Sequence, residues 1–320
     1  MNSNRTRVAY RTRLGTAYES DVESFTASRY ALELHGQVKL VLTSPPFPLL
    51  KPKEYGNLEG EKYLEWISEV FHKVGSWLRP DGSLVVEIGN SWERGEPSMS
   101  TLPLRSLMEI ASKSGFAVCQ QFICNNPARL PGPAQWVTVN RVRVKDSYTH
   151  VWWFAKDPWI EADNRKVAQP YSEGMKKLLK RQAYNAGTRP SAHKISSTSF
   201  LADNGGAIPS NLLSFANTSD SRSYLDWCKA IDMRPHPARM PKGLAEFFLD
   251  FLTTEGDLVA DCFGGSNTLG MVAESRNRNW ISVERDPKYL VGSLGRFDKT
   301  EDKLSARNSP YREHVQMLRS

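Results

Sequence analysis

Two short segments carry residue types able to do chemistry together. Ser44-Pro45-Pro46-Phe47 closes an apolar run, and Asp261-Cys262-Phe263-Gly264-Gly265-Ser266-Asn267-Thr268 closes another more than 200 residues later. Consecutive prolines fix the backbone and remove two N–H donors. Carbonyls beside such a turn stay available as acceptors, which is what an exocyclic NH2 group requires. Accepting its protons keeps electron density on nitrogen and aims the lone pair at an electrophile. Phe47 adds a face on which an unstacked base can lie, worth about 1–3 kcal/mol. In the second segment, glycines at a strand–helix junction let a ligand approach the backbone. The helix N-terminus that follows offers unsatisfied N–H groups to a carboxylate or phosphate. Glu284, at the end of the next strand, can accept from ribose hydroxyls. These features fit an adenosine cofactor. Each segment alone also fits a plain structural turn.

The elements that must position these residues are legible from periodicity. Val38–Thr43 reads as a short buried strand stopped by the prolines. Glu59 to Leu78 is helical, with Tyr63, Ile67, Val70, Phe71, Val74 and Leu78 at spacings of three and four. Arg79-Pro80-Asp81-Gly82 reads as a turn and Ser83–Ile88 as a strand. Leu102–Lys113 is a helix closed by Ser114-Gly115, and Phe116–Cys124 and His150–Ala155 are strands. After Pro235 the alternation resumes: helix Ala245–Leu252, strand Asp257–Cys262, helix Thr268–Arg276, strand Trp280–Glu284, and a helix from Asp286. Strands alternating with helices indicate an α/β sheet, mostly parallel. Residues 158–235 lack periodicity and are rich in Lys, Arg, Ser, Asn and Gly, as an insertion would be.

Bulk properties narrow the class. The 320 residues are 40% hydrophobic and 24% charged, as expected of a globular protein. No apolar run approaches the roughly 20 residues that span a bilayer, and the polar, basic N-terminus lacks a signal sequence, so a cytoplasmic protein without membrane partner is expected. Cys119, Cys124, Cys228 and Cys262 are scattered with no paired histidines, which argues against a metal site or a disulfide framework. The net charge of +7 suits a polyanionic partner.

The combination resembles the β class of DNA amino-methyltransferases, in which the catalytic tetrapeptide precedes the cofactor loop. Ser-Pro-Pro-Phe is the form of the cytosine-N4 members; adenine-N6 members usually carry Asp or Asn first. Lys53-Glu54-Tyr55-Gly56-Asn57-Leu58, Val151-Trp152-Trp153-Phe154, Asn204-Gly205-Gly206-Ala207-Ile208-Pro209 and His236-Pro237-Ala238-Arg239-Met240-Pro241 also match, so the resemblance runs from about Val38 to Tyr289. It implies a Rossmann-like, S-adenosylmethionine-dependent methyltransferase sheet, circularly permuted, with an inserted target-recognition region. The implied divisions are a catalytic half (1–157), the insertion (158–235), a cofactor half (236–298) and a polar tail (299–320).

The resemblance also implies roles. Ser44 and the Pro45 carbonyl contact the target amino group, Pro46 stiffens the turn, and Phe47 stacks on the flipped cytosine. Phe263 packs near S-adenosyl-L-methionine, Gly265, Ser266 and Thr268 surround its methionine part, and Gly264 is a further cofactor-binding residue. Glu284 binds the ribose, Asp261 orients the loop or reaches the amino group, and Pro237 and Arg239 lie by the carboxylate. Glu87 stands where the family often has Asp, either bonded to Ser44 or helping to remove the surplus proton, or as a satisfied strand-end residue. For double-stranded DNA, Lys176, Lys177, Arg189, His193 and Lys194 of the insertion, with Arg141, Arg143 and Lys145 alternating along an extended stretch, are the expected contacts. Similarity over Asn204–Pro209 suggests CAGCTG as the target. A monomer or weak dimer is expected, with any cognate restriction endonuclease acting separately.

Competing readings are an adenine-N6 enzyme of the same fold, a catalytically silent DNA-binding module, an NAD-dependent oxidoreductase and a serine hydrolase. The oxidoreductase lacks the third glycine of Gly-x-Gly-x-x-Gly, and Ser266 lacks the Gly-x-Ser-x-Gly frame. C5-cytosine methylation needs a Cys nucleophile, commonly after Pro, and no cysteine here follows a proline.

Overall fold

The computed structural model describes residues 6–47, 60–184, 186–196, 198, 200–216, 222–297 and 311–319. The stretch Lys53–Leu58 lies outside them. In chain order the elements are β1 (Arg7–Arg11), β2 (Gly15–Glu19), α1 (Val22–Thr26), α2 (Arg29–Glu33), β3 (Val38–Thr43), α3 (Gly60–Gly75), β4 (Leu78–Gly89), α4 (Leu102–Ser114) and β5 (Ala117–Asn125). There follow β6 (Tyr148–Ala155), α5 (Glu173–Arg181), β7 (Gly187–Thr188), β8 (Lys194–Ile195), β9 (Leu212–Ser214), α6 (Arg222–Ala230) and α7 (Lys242–Leu252). The last are β10 (Leu258–Asp261), α8 (Thr268–Ser275), β11 (Asn279–Glu284), α9 (Pro287–Ser293) and α10 (Arg312–Arg319).

The chain divides into two compact units, residues 1–161 with 211–320, and residues 162–210. The first is built on a sheet of order β1-β2-β11-β10-β3-β4-β6-β5-β9. All its strands run one way except β1 and β6. The centre, β2 through β4, is parallel, and β3 is buried at every position. Its apolar sequence is what a strand covered on both faces requires. The core continues into Phe25, Tyr63, Ile67, Phe71, Trp77, Leu107 and Ile110 of the flanking helices. The three-and-four spacing of α3 places that helix on the sheet through Tyr63, Ile67, Val70, Phe71 and Val74.

Several boundaries differ from expectation for physical reasons. The Arg79–Gly82 turn does not end a strand; it is an excursion within β4, where Val38 opposes Leu78 but Leu40 opposes Ser83. Asp81 there meets the otherwise buried Lys39 ammonium at 2.9 Å, so the excursion neutralises a charge inside a central strand. Gly115 ends α4 with φ 67, the left-handed conformation glycine tolerates. Of the aperiodic stretch 158–235, only residues 162–210 form the second unit; β9 and α6 belong to the sheet-bearing unit. The second unit holds α5, the β7–β8 pair and a bridge between Gln169 and Ala207, whose backbone bonds measure 2.9 and 2.8 Å.

Candidate active site

One cavity of about 510 Å³ opens where the parallel strands end. Its walls include Ser20 after β2, Ser44 after β3, Cys262 after β10 and Arg285 after β11. The volume lies within the range of ligand pockets, about 300–1,000 Å³. Ser44, Pro45, Pro46 and Phe47 line it together with Asp261, Phe263, Gly264, Gly265, Ser266, Thr268 and Glu284. Two segments more than 200 residues apart thus share one chamber because β3 and β10 are neighbours in the sheet.

The two strand ends are pinned to each other. Thr43 Oγ1 donates to Asp261 Oδ1 at 2.6 Å, and the Phe263 amide donates to the same oxygen at 3.0 Å. Burial pushes the Asp261 carboxyl up to about 6 against these bonds. Tyr63 donates its hydroxyl to the Pro46 carbonyl at 2.8 Å, fixing the tetrapeptide from α3. Ser44 Oγ donates to the Glu87 carbonyl at 3.4 Å. Thr149 Oγ1 donates to that carboxylate at 2.8 Å. Burial raises the Glu87 pKa above the usual carboxylate range, opposed by Thr149, Ser44 and the Arg129 charge. Phe47 lies on Gly89, where an added Cβ would stand 2.5 Å from its ring.

The cofactor loop is held from three sides. Glu284 accepts the Gly265 amide at 2.8 Å and the Asp286 amide at 2.7 Å. Burial nonetheless pushes its carboxyl up to about 7. Arg296 reaches the Ser266 carbonyl at 2.7 Å and its hydroxyl at 2.9 Å while covering the Tyr224 ring at 4.7 Å. Burial lowers the Arg296 pKa to about 10. Phe263 is gripped edge-on by Trp66 at 5.9 Å and Phe71 at 6.5 Å. Five carboxylates (Asp21, Glu23, Asp261, Glu284 and Asp286) face the cavity against Arg285 and His236. That balance favours a cationic ligand rich in hydroxyl and amino groups. Cys262 also lines the cavity, but burial raises its thiol pKa, so it is no thiolate nucleophile.

The segment before α7 needs correction. His236, Ala238 and Met240 line the cavity; Pro237 and Arg239 do not. Arg239 Nη1 turns back to the His236 carbonyl at 2.9 Å. The segment bends at Pro237 and Ala238, and nothing in the sequence says which of its side chains face in. Sequence reasoning also missed Asp21, Glu23, Tyr63, Trp66 and Tyr289 as wall residues. Only the aromatic content of the helical stretch hinted at Tyr63 and Trp66.

Of the expected nucleic-acid contacts, Arg141, Arg143 and Lys145 belong to the sheet-bearing unit, but not to a strand. Arg141 has φ 55, and all residues from Thr138 to Lys145 are exposed, so the alternation selects no face. Lys176 and Lys177 lie on α5, Arg189 and His193 bracket the β7–β8 turn, and Lys194 opens β8. Lys176 pairs with Glu173 at 2.7 Å.

The loop is packed too tightly for an added methyl. A Cβ on Gly264 would sit 2.0 Å from Ser282 Oγ and 3.4 Å from the Val283 carbonyl. Gly264→Ala should therefore destabilise the protein by about 1–3 kcal/mol. It should also weaken binding of S-adenosylhomocysteine, read by thermal unfolding and calorimetry; an unchanged Tm would contradict this packing.

Comparison with known proteins agrees with this geometry. A family model described as DNA methylase, covering N6 and N4 enzymes, matches residues 38–293. The type II methyltransferase M.PvuII of Proteus hauseri is 43% identical over 295 residues, 90% of this chain and 85% of the relative. M.HpaI of Haemophilus parainfluenzae is 22% identical over 272 residues, covering 82% of this chain and 68% of its own. Among solved structures, the PvuII DNA methyltransferase (cytosine-N4-specific) superposes with a TM-score of 0.74 at 34% identity, covering 99% of this chain and 95% of that one. The M1.HpyAVI–SAM complex shares the fold at a TM-score of 0.51 and 18% identity, covering 88% and 98%. With the two motifs in one cavity and this match across most of its length, the chain belongs to the N6/N4 DNA methylase family.

Proposed function

We propose that this protein methylates N4 of cytosine in double-stranded DNA, as the modification enzyme of a restriction–modification system. The observation that carries the proposal is the shared cavity, with Ser44 and Pro45 on one wall and Phe263 to Thr268 on another. When bound, S-adenosylmethionine supplies a methyl group on a sulfonium, open to in-line attack by an amine. The donor set suits that ligand: carboxylates for the positive charge, Glu284 for ribose hydroxyls, and a loop at a helix N-terminus for the carboxylate.

In this reading the target cytosine leaves the duplex and lies on Phe47. The Pro46 carbonyl is already taken by Tyr63, whereas the Pro45 carbonyl accepts no hydrogen bond from the described residues. Pro45 O and Ser44 Oγ then receive the two amino protons, and Ser44 can do so because it donates its own proton to the Glu87 carbonyl. Holding nitrogen at the methyl supplies much of the acceleration. The surplus proton of the methylated amine passes to water. The catalytic segment preceding the cofactor segment is the circularly permuted order, and residues 162–210 are the target-recognition unit with Lys176, Lys177, Arg189, His193 and Lys194 toward DNA.

The reading is tested by mass spectrometry of nucleosides from DNA treated with protein and S-adenosylmethionine. N4-methylcytosine is expected; N6-methyladenine would move the substrate to adenine, and no methylated nucleoside would overturn the proposal. The proposed CAGCTG target is tested on plasmid DNA, which treatment should protect from a restriction enzyme cutting that sequence. Cutting would refute that target alone.

A further inference from the structure

Residues 126–147 join β5 to β6 and carry side chains that the catalytic reading leaves unused. Four cations, Arg129, Arg141, Arg143 and Lys145, stand there against one carboxylate, Asp146. Large aliphatic side chains are turned to solvent: Leu130 is 82% exposed and Val144 86%, with Val139 and Val142 also exposed. Apolar groups gathered on a cationic projection mark a surface that meets a partner.

Hydrogen bonds tie the segment together and to β4's end. The Asp146 carboxylate accepts Trp92 Nε1 at 2.6 Å and Asn90 Nδ2 at 3.2 Å. The Asp146 amide reaches the Gly132 carbonyl at 3.0 Å, and Asn126 donates to Ser147 at 2.6 Å. The Val142 and Arg143 amides share the Trp136 carbonyl at 2.9 and 3.2 Å. Lys145 Nζ reaches the Arg129 carbonyl at 3.3 Å, which ties the run bearing Val144 to the one bearing Leu130.

Its position follows from the sheet. β4 is parallel to β3, β6 is antiparallel to β4, and β5 is antiparallel to β6. The end of β5 is therefore on the same edge as the end of β3, where Ser44 lies. Three strand spacings, about 14 Å, separate them across the sheet, and the register carries the end of β5 about three residues, roughly 10 Å, further along the strand direction. At the root of the projection, the Arg129 charge is felt by Glu87, the residue bonded to Ser44. A duplex laid over the cavity mouth would meet this prong with cations toward phosphates and aliphatic tips toward the base stack. The interior of the stack is where a protein's apolar wedge is welcome, because unstacked steps expose base faces.

We propose that Leu130 and Val144 form a wedge that enters duplex DNA beside the target and fills the gap left by the extruded nucleotide. This rests on the methyltransferase reading. The test uses the full chain and the Leu130→Ser/Val144→Ser double variant, whose changes are on exposed side chains. Two synthetic duplexes carry the sequence that wild-type protein methylates on plasmid DNA, one with the target correctly paired and one with it opposite an abasic site. Opening a pair costs a few kcal/mol, so the wedge is required only on the first. The variant should lose about tenfold or more in kcat/KM on the paired duplex, corresponding to about 1.4 kcal/mol. On the abasic duplex it should return to within about twofold of wild type. Equal loss on both duplexes would make the prong a simple docking contact, and no loss on either would remove it from recognition; both overturn the wedge. Absence of methylation by the wild type on any DNA would instead overturn the function on which it rests.

Discussion

Ser44→Ala should lower kcat by about 10²-fold, the scale seen when one preorganised hydrogen-bonding group is removed from a reacting centre. The change deletes one oxygen. Pro45, Pro46 and Phe47 keep their places, because Tyr63 holds the tetrapeptide and Gly89 seats the Phe47 ring. Affinity for S-adenosylhomocysteine should change by less than about threefold, since the loop from Phe263 to Thr268 is held by Glu284 and Arg296. Single-turnover kinetics with excess enzyme and calorimetric binding separate the two effects. Glu87→Gln is the companion variant. It keeps the shape and an acceptor for Ser44 but loses the ionisable carboxyl. A loss at Glu87 nearly as large as that at Ser44, without additivity in the double variant, would show the pair acting together. Near-wild-type turnover by Ser44→Ala would sink the role assigned to this wall.

Binding of the cofactor should release protons and tighten as pH rises from about 5.5 to 8, by on the order of 10²-fold. Asp261 and Glu284 sit at about 6 and about 7, both lifted by burial from ordinary values of 3.8 and 4.5. A sulfonium in the cavity favours the ionised carboxylates and pulls both values back down, which expels protons near neutral pH. A carboxyl made tenfold more acidic by the bound cofactor strengthens binding tenfold, or by about 1.4 kcal/mol, once the pH is high enough to ionise it. For the unliganded protein the sign is opposite. Carboxyls raised in the fold bind more protons folded than unfolded, so their contribution is complete below about pH 4 and is lost as pH rises through 6 and 7. Calorimetry in two buffers of different ionisation enthalpy measures the protons released. Proton uptake on binding would refute the charge assignment, and Glu284→Gln should flatten the upper part of the profile.

The parts legible in the sequence are those where one requirement dominates. β3 can be read to its boundaries because a doubly covered central strand must be mostly apolar and prolines stop it. The cofactor loop is legible because its glycines and serines serve a strand–helix junction. β1 and β2 are not: short strands such as Arg7–Arg11 and Gly15–Glu19 alternate weakly, and the pairing of β2 with β11 spans nearly the whole chain. Asp21 and Glu23 become wall residues only through that pairing. Arg239 shows the limit of motif reasoning. A hexapeptide can mark a segment without telling which of its side chains faces inward. Arg296 is invisible for a related cause, since a buried arginine reads as a surface charge until Ser266 and Tyr224 surround it.

The Thr43–Asp261 bond bears on the order of events during synthesis. One edge of β3 is paired by β4 within about 50 residues, but the other waits for β10, whose residues emerge some 218 positions later. Until then the nascent chain carries a largely apolar strand with an unpaired edge, a template for misassembly. Contacts of such separation slow folding because a long loop must close before they form. The chamber for base and cofactor therefore cannot be complete until β10 and the loop after it have been made, because they form one of its walls.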